Sequence, residues 1–118
     1  TFLDIAGAKQ PDDMQGLALT PLLRGKTPAN WRKTHYYHYY EAGGHGVPVH
    51  YGVTDGRHKL IRFPDDTLDA WEFFDLKKDP NEMQSRYDDP QYKRTIANLK
   101  EELNRLRKQY QVENFENP

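Results

Sequence analysis

There is no cysteine among the 118 residues, which excludes disulfides, thiolate metal sites and a cysteine nucleophile within this chain. No run of about 18 apolar residues occurs, so no membrane span is expected. No signal-like segment and no initiator methionine are present, and targeting cannot be read. An excess of one charge is missing as well: 17 Lys and Arg stand against 18 Asp and Glu. That balance gives no electrostatic basis for binding nucleic acid or an acidic membrane surface. Apolar residues are sparse, at 36%, and counting the eight Gly in place of the eight Tyr leaves that figure unchanged; an average domain has roughly 45–50%. Near-neutral charge and 13% aromatics nevertheless argue for folding, because Tyr, Phe and Trp each bury a large area. The composition predicts one folded domain with a lean core that leans on a neighbour.

Phe2, Leu3, Ile5 and Ala6 followed by Gly7 read as the last turn of a helix with its glycine stop. Residues 1–8 are therefore expected to be the end of an upstream helix, and residues 9–33 a connecting segment. Within the latter, Thr20 and Pro21 start a short helical turn through Leu23 that Gly25 ends. Residues 34–118 are expected to form the subdomain proper.

From Thr34 to Glu41 the chain is almost wholly Tyr and His, predicting a strand with Tyr36 and His38 on one face and Tyr37 and Tyr39 on the other. Gly43, Gly44 and Gly46 make a permissive loop around His45. Pro48 precedes a second strand, Val49 to Val53. Asp55-Gly56 predicts a type I′ hairpin turn, with Arg57 to Phe63 as the return strand. Trp71 to Leu76 makes a fourth, again apolar on both faces, which a sheet wet on one side does not need. After Asp89 as cap and Pro90 at the first helical position, Tyr92, Ile96, Leu99, Leu103, Leu106 and Tyr110 recur in steps of four and three, predicting a helix with one apolar stripe. Glu101 and Arg105 are placed to pair on its surface. Residues after Val112 read as a frayed tail. The fold class is α+β: a small four-stranded antiparallel sheet packed on a long C-terminal helix, its other face awaiting a layer from elsewhere.

Four of the five histidines lie between residues 35 and 50, beside Glu41. In a Tyr-rich strand His35 and His38 read as hydrogen-bonded filler. His38, Glu41, His45 and His50 have metal-ligand chemistry but match no zinc spacing, and no metal site is assigned. Tyr36, Tyr37, Tyr39 and Tyr40 fit either a sugar-stacking platform or aromatic filling of a two-faced strand. In Phe74-Asp75-Leu76-Lys77-Lys78-Asp79-Pro80-Asn81-Glu82, Asp79 and Glu82 read as the two halves of a capping box around Pro80.

That last segment, aromatic-Asp-Leu-x-x-Asp-Pro-x-Glu after a short aromatic strand, resembles the tail of type I, formylglycine-dependent, arylsulfatase-like sulfatases. Thr1 to Gly7, Gly16-Leu17 with Leu22 to Gly25, Tyr51-Gly52-Val53 and Arg57 to Ile61 resemble the same family in the same order. The likeness is to bacterial enzymes acting on glycans. It implies a subdomain docked on a large α/β sulfatase domain, a sulfated carbohydrate substrate, and a periplasmic or secreted location. It also implies calcium and a formylglycine made from Cys or Ser, both in the parent enzyme. The only serine, Ser85, does not match that setting, so no catalytic residue and no cofactor site is expected in this chain. The family's Glu-x-x-x-His-x-x-x-x-His-Tyr-Gly stretch is matched by Glu41, His45, His50, Tyr51 and Gly52, implying that His50, His45 and Glu41 bind substrate. Arg57 is added as a cation toward the substrate. Thr54 stands where many of the family have an arginine, which weakens any carry-over of a uronic-acid neighbour. A 6-sulfated N-acetylhexosamine is the implied substrate. The alternative is a self-standing glycan-binding or structural interaction module without catalytic activity.

Overall fold

The computed structural model describes residues 1–41, 44–64 and 68–112. Gly43 and the tail beyond Val112 lie outside the described residues. The chain divides into two compact units, Thr1–Arg32 and Lys33–Pro118.

In the first unit, α1 (Phe2–Ile5) ends at Gly7 and α2 (Thr20–Leu23) ends at Gly25. The two turns are tied by side chains: the Thr20 hydroxyl donates to the Asp4 carboxylate, and Leu19 N–H donates to Thr1 Oγ1 at 2.9 Å. Thr20 is buried, while Phe2 is 87% exposed and Ile5, Leu19 and Leu23 are exposed too.

The second unit is a four-stranded antiparallel sheet in the order β1 (His35–Tyr39), β2 (His50–Thr54), β3 (His58–Phe63) and β4 (Ala70–Asp75), followed by α3 (Lys93–Gln109). β2 and β3 are joined at Asp55–His58, where Asp55 N–H donates to the His58 carbonyl at 3.2 Å. Only Gly56, with φ 88°, is left-handed there. It takes the first central position, as in a type II′ turn, so the expected type I′ turn is corrected. The Asp55 carboxylate instead accepts from Arg57 N–H and His58 N–H just outside the bend.

One sheet face carries Tyr51, Val53, Leu60 and Phe73, and α3 lays its stripe of Ile96, Leu99, Leu103 and Leu106 onto them, with Tyr92 at its start. The expected stripe is the observed one, and each such aliphatic burial contributes about 1.5–3 kcal/mol. Asp89 caps the entry, accepting from Gln91 N–H at 2.9 Å, and Pro90–Tyr92 forms a 3₁₀ turn before the α-helix. Arg105 pairs with Glu102, three residues back, at 2.7 Å rather than with Glu101; Glu102 also accepts from the Thr34 hydroxyl.

The second face is less open than its composition suggests. Ile61 (6%) and Phe74 (4%) are buried, and Tyr37 lies across Gly52, its register partner. Lys59 ion-pairs with Glu82 at 2.6 Å. Glu82 is thereby committed to β3 and does not complete a capping box; Asp79 caps alone, accepting from Gln84 N–H at 2.9 Å.

Candidate functional site

Antiparallel register places His50 between Tyr39 of β1 and Phe63 of β3. Tyr39 pairs directly with His50, and the Tyr51–Arg62 pairing brings Phe63 opposite it. Alternation sends all three to the face away from α3. The rings form a row: Tyr39 stacks on His50 with centroids 5.5 Å apart at 22°, and Phe63 lies 5.4 Å away at 36°. Tyr37 adds an edge contact at 5.9 Å. The His50 Nδ1 lies 2.9 Å from the Pro48 carbonyl oxygen, which fixes the ring at its other edge. His50 is half-buried.

Glu41 joins this group through Tyr39, whose hydroxyl donates to Oε2 at 3.3 Å. Burial first, then the Glu41 carboxylate, pushes the Tyr39 phenol up. His45 stands exposed in the turn Gly44–Gly46, held at φ 56°. Glu41, His45 and His50 thus share the β1–β2 end of the sheet.

Arg57 does not share it. It sits past the far end of β2, a strand about 13 Å long between His50 and Thr54. There its guanidinium grips Asp75, Nη2 to Oδ2 at 3.0 Å and Nε to Oδ1 at 3.3 Å. Asp75 is 2% exposed and also accepts from Tyr92 hydroxyl at 3.1 Å and Lys77 N–H at 3.2 Å. Lys78 Nζ donates in turn to Tyr92 at 2.8 Å. The Arg57 guanidinium, against the opposing effect of burial, holds the Asp75 carboxyl well below the usual carboxylate range. This fork joins the β2–β3 turn to the end of β4 and the start of α3.

On the α3 side of β1, His38 stacks on Tyr40 at 3.7 Å and its Nδ1 lies 2.9 Å from the Tyr36 hydroxyl. Burial, then Arg107 and His50, pushes the His38 imidazole down. Arg107 covers the Tyr51 ring at 4.5 Å and donates to its hydroxyl at 3.0 Å. This is a packed aromatic corner, as expected for a filler histidine.

Among the described residues, no group of three or more His, Asp or Glu is arranged to hold a metal ion. The residues present do not fit a calcium site, and the sequence has no cysteine to become formylglycine. No described helix is long and apolar enough to cross a membrane. What the β1–β2 end can do is present a fixed imidazole, a carboxylate and aromatic surface to a polar ligand. Phe63 and Pro48, which hold His50, were not picked out from the sequence. Phe63 becomes visible once the hairpin register is fixed, and the Pro48 contact depends on how the loop folds.

The four-stranded sheet with one C-terminal helix is the C-terminal subdomain of a sulfatase. The sequence model of the family described as N-sulphoglucosamine sulphohydrolase, C-terminal, matches residues 1–109, and the chain belongs to that family. It is 46% identical over 113 residues to an N-acetylglucosamine-6-O-sulfatase of Bacteroides thetaiotaomicron, covering 93% of this chain and 20% of that protein. It is 31% identical over 103 residues to a Delta 4,5-hexuronate-2-O-sulfatase of the same organism, covering 82% of this chain and 20% of that protein. A solved structure of a protein in complex with its substrate, D-glucosamine-2-N,6-O-disulfate, superposes with a TM-score of 0.91 at 44% identity, over 97% of this chain and 24% of that one. The chain therefore spans about a fifth to a quarter of the proteins it matches.

Proposed function

We propose that this chain belongs to an enzyme that hydrolyses sulfate esters of glycans, with 6-O-sulfated N-acetylglucosamine as its substrate. In this reading the β1–β2 end of the sheet forms part of the sugar pocket. The carrying observation is the 46% identity to an N-acetylglucosamine-6-O-sulfatase over 93% of the chain. The formylglycine and calcium are assigned to the part of such an enzyme that this chain does not span. They supply the attack on sulfur; the residues here bind and orient the sugar. His50 is the principal contact, with Glu41 and His45 at the rim. The mutual bonding of Arg57 and Asp75 supports a structural role for Arg57. An enzyme of this kind works in the periplasm or outside the cell, where sulfated glycans are met.

The test is sulfate release by the longer protein that contains this chain, assayed on N-acetylglucosamine 6-sulfate, on 3-O-sulfated glucosamine and on a 2-O-sulfated unsaturated uronic acid. Hydrolysis of the first alone supports the reading. Turnover of the uronic acid instead refutes the substrate assignment. Tyr39, His50 and Phe63 also suit a non-catalytic glycan-binding module. Sugar binding without sulfate release, by a longer protein whose gene encodes no Cys or Ser in a C/S-x-P/A-x-R setting, would favour that second reading.

A further inference from the structure

The two ring nitrogens of His50 differ in their surroundings. Nδ1 is 2.9 Å from the Pro48 carbonyl oxygen. A carbonyl oxygen only accepts, so the proton of that bond is on Nδ1. A neutral imidazole protonated there carries a bare lone pair on Nε2. No described residue donates to Nε2. The ring cannot turn freely to exchange the two nitrogens, because Tyr39 stacks on it at 5.5 Å and Phe63 lies 5.4 Å away. The Pro48 φ is fixed by its own ring, which steadies the acceptor.

A sulfate monoester offers acceptor oxygens only, and opposing a bare lone pair to such an oxygen is repulsive. A sugar hydroxyl can donate. Resting on the reading of His50 as a pocket residue, we infer that His50 is a specificity-determining residue, held as the Nδ1–H tautomer, that accepts a hydrogen bond from a ring hydroxyl of the sugar. The sulfate is bound by other groups. Pro48, Tyr39 and Phe63 are positioning residues that select the tautomer and aim Nε2.

Two measurements on the full-length enzyme test this. In protein labelled with ¹⁵N-histidine, with His50→Gln used for assignment, the His50 nitrogens should report a protonated Nδ1 and a bare Nε2. A proton on Nε2 instead overturns the inference. Second, kcat/KM is compared for wild type and His50→Ala on N-acetylglucosamine 6-sulfate and its 3-deoxy and 4-deoxy forms. Removing one of these hydroxyls should lower the wild-type value about tenfold, the worth of one good hydrogen bond, and leave His50→Ala unaffected. Equal losses in both proteins overturn the inference while leaving His50 in the pocket. An unimpaired His50→Ala on the parent sugar refutes the pocket reading itself.

Discussion

Tyr37 lies so close over Gly52 that a Cβ on residue 52 would stand 2.6 Å from the tyrosine hydroxyl and 2.8 Å from its Cζ, and nearer still to the Leu60 carbonyl oxygen. Glycine is required there by close approach, since its φ is not left-handed. The Tyr37 hydroxyl is enclosed and has no hydrogen-bond partner among the described residues. Burial, then Glu82 and Glu72, pushes the phenol well above its ordinary range.

Gly52→Ala should therefore destabilise the protein by about 1–3 kcal/mol, as overpacking does when a backbone atom cannot move aside. Tyr37→Phe keeps the ring over Gly52 and removes the unpaired hydroxyl, so its stability should equal or exceed wild type. Chemical unfolding of both variants checks the pair of expectations. A stable Gly52→Ala would show that Tyr37 does not lie across the strand.

The Arg57–Asp75 fork gives an acid limit to stability. Because the folded Asp75 pKa is depressed below the ordinary 3.8, its stabilising contribution is fully present above that value and is lost as pH falls toward the folded one. Arg57→Ala should lower Tm at neutral pH more than Asp75→Asn, since it strands a buried carboxylate while Asn removes the charge. Asp75→Asn should also flatten the fall of Tm in acid. Thermal melts from about pH 7 to about pH 2.5 check both.

His38 acts in a separate window. Its pKa is held below the ordinary 6.5 by burial, Arg107 and His50. A histidine kept neutral by the fold contributes stability above its unfolded pKa that is lost as pH falls through the folded value. Tm should drop with acidification below 6.5, and His38→Phe, which keeps the ring against Tyr40, should remove that slope while leaving the deeper acid loss in place.

Much of this architecture was legible in the residues. The stripe from Tyr92 to Tyr110 gave α3 because a helix buries residues at its own period. The Tyr and His run, Asp55-Gly56 and the Trp71 segment located the strands because β-rich segments bounded by turn residues have few other outcomes. What depended on tertiary contact was not legible. Glu82 was read as a local cap but serves Lys59, 23 positions back along the chain. Arg57, read as a cation toward substrate, grips Asp75, a residue that looked like strand punctuation. Ile61 and Phe74 are buried on a face expected to be bare. Of the candidate site, Glu41, His45 and His50 were readable as one short stretch, whereas the clamp on His50 by Phe63 and Pro48 needed the sheet register and the loop.

The most direct measurement of the central claim is the kcat/KM of the full-length enzyme for N-acetylglucosamine 6-sulfate, before and after His50→Ala, with Tm recorded for both proteins. We predict a loss of at least about tenfold, equivalent to about 1.4 kcal/mol of transition-state binding, with Tm nearly unchanged. Unchanged kinetics would contradict a role for this sheet end in the sugar pocket.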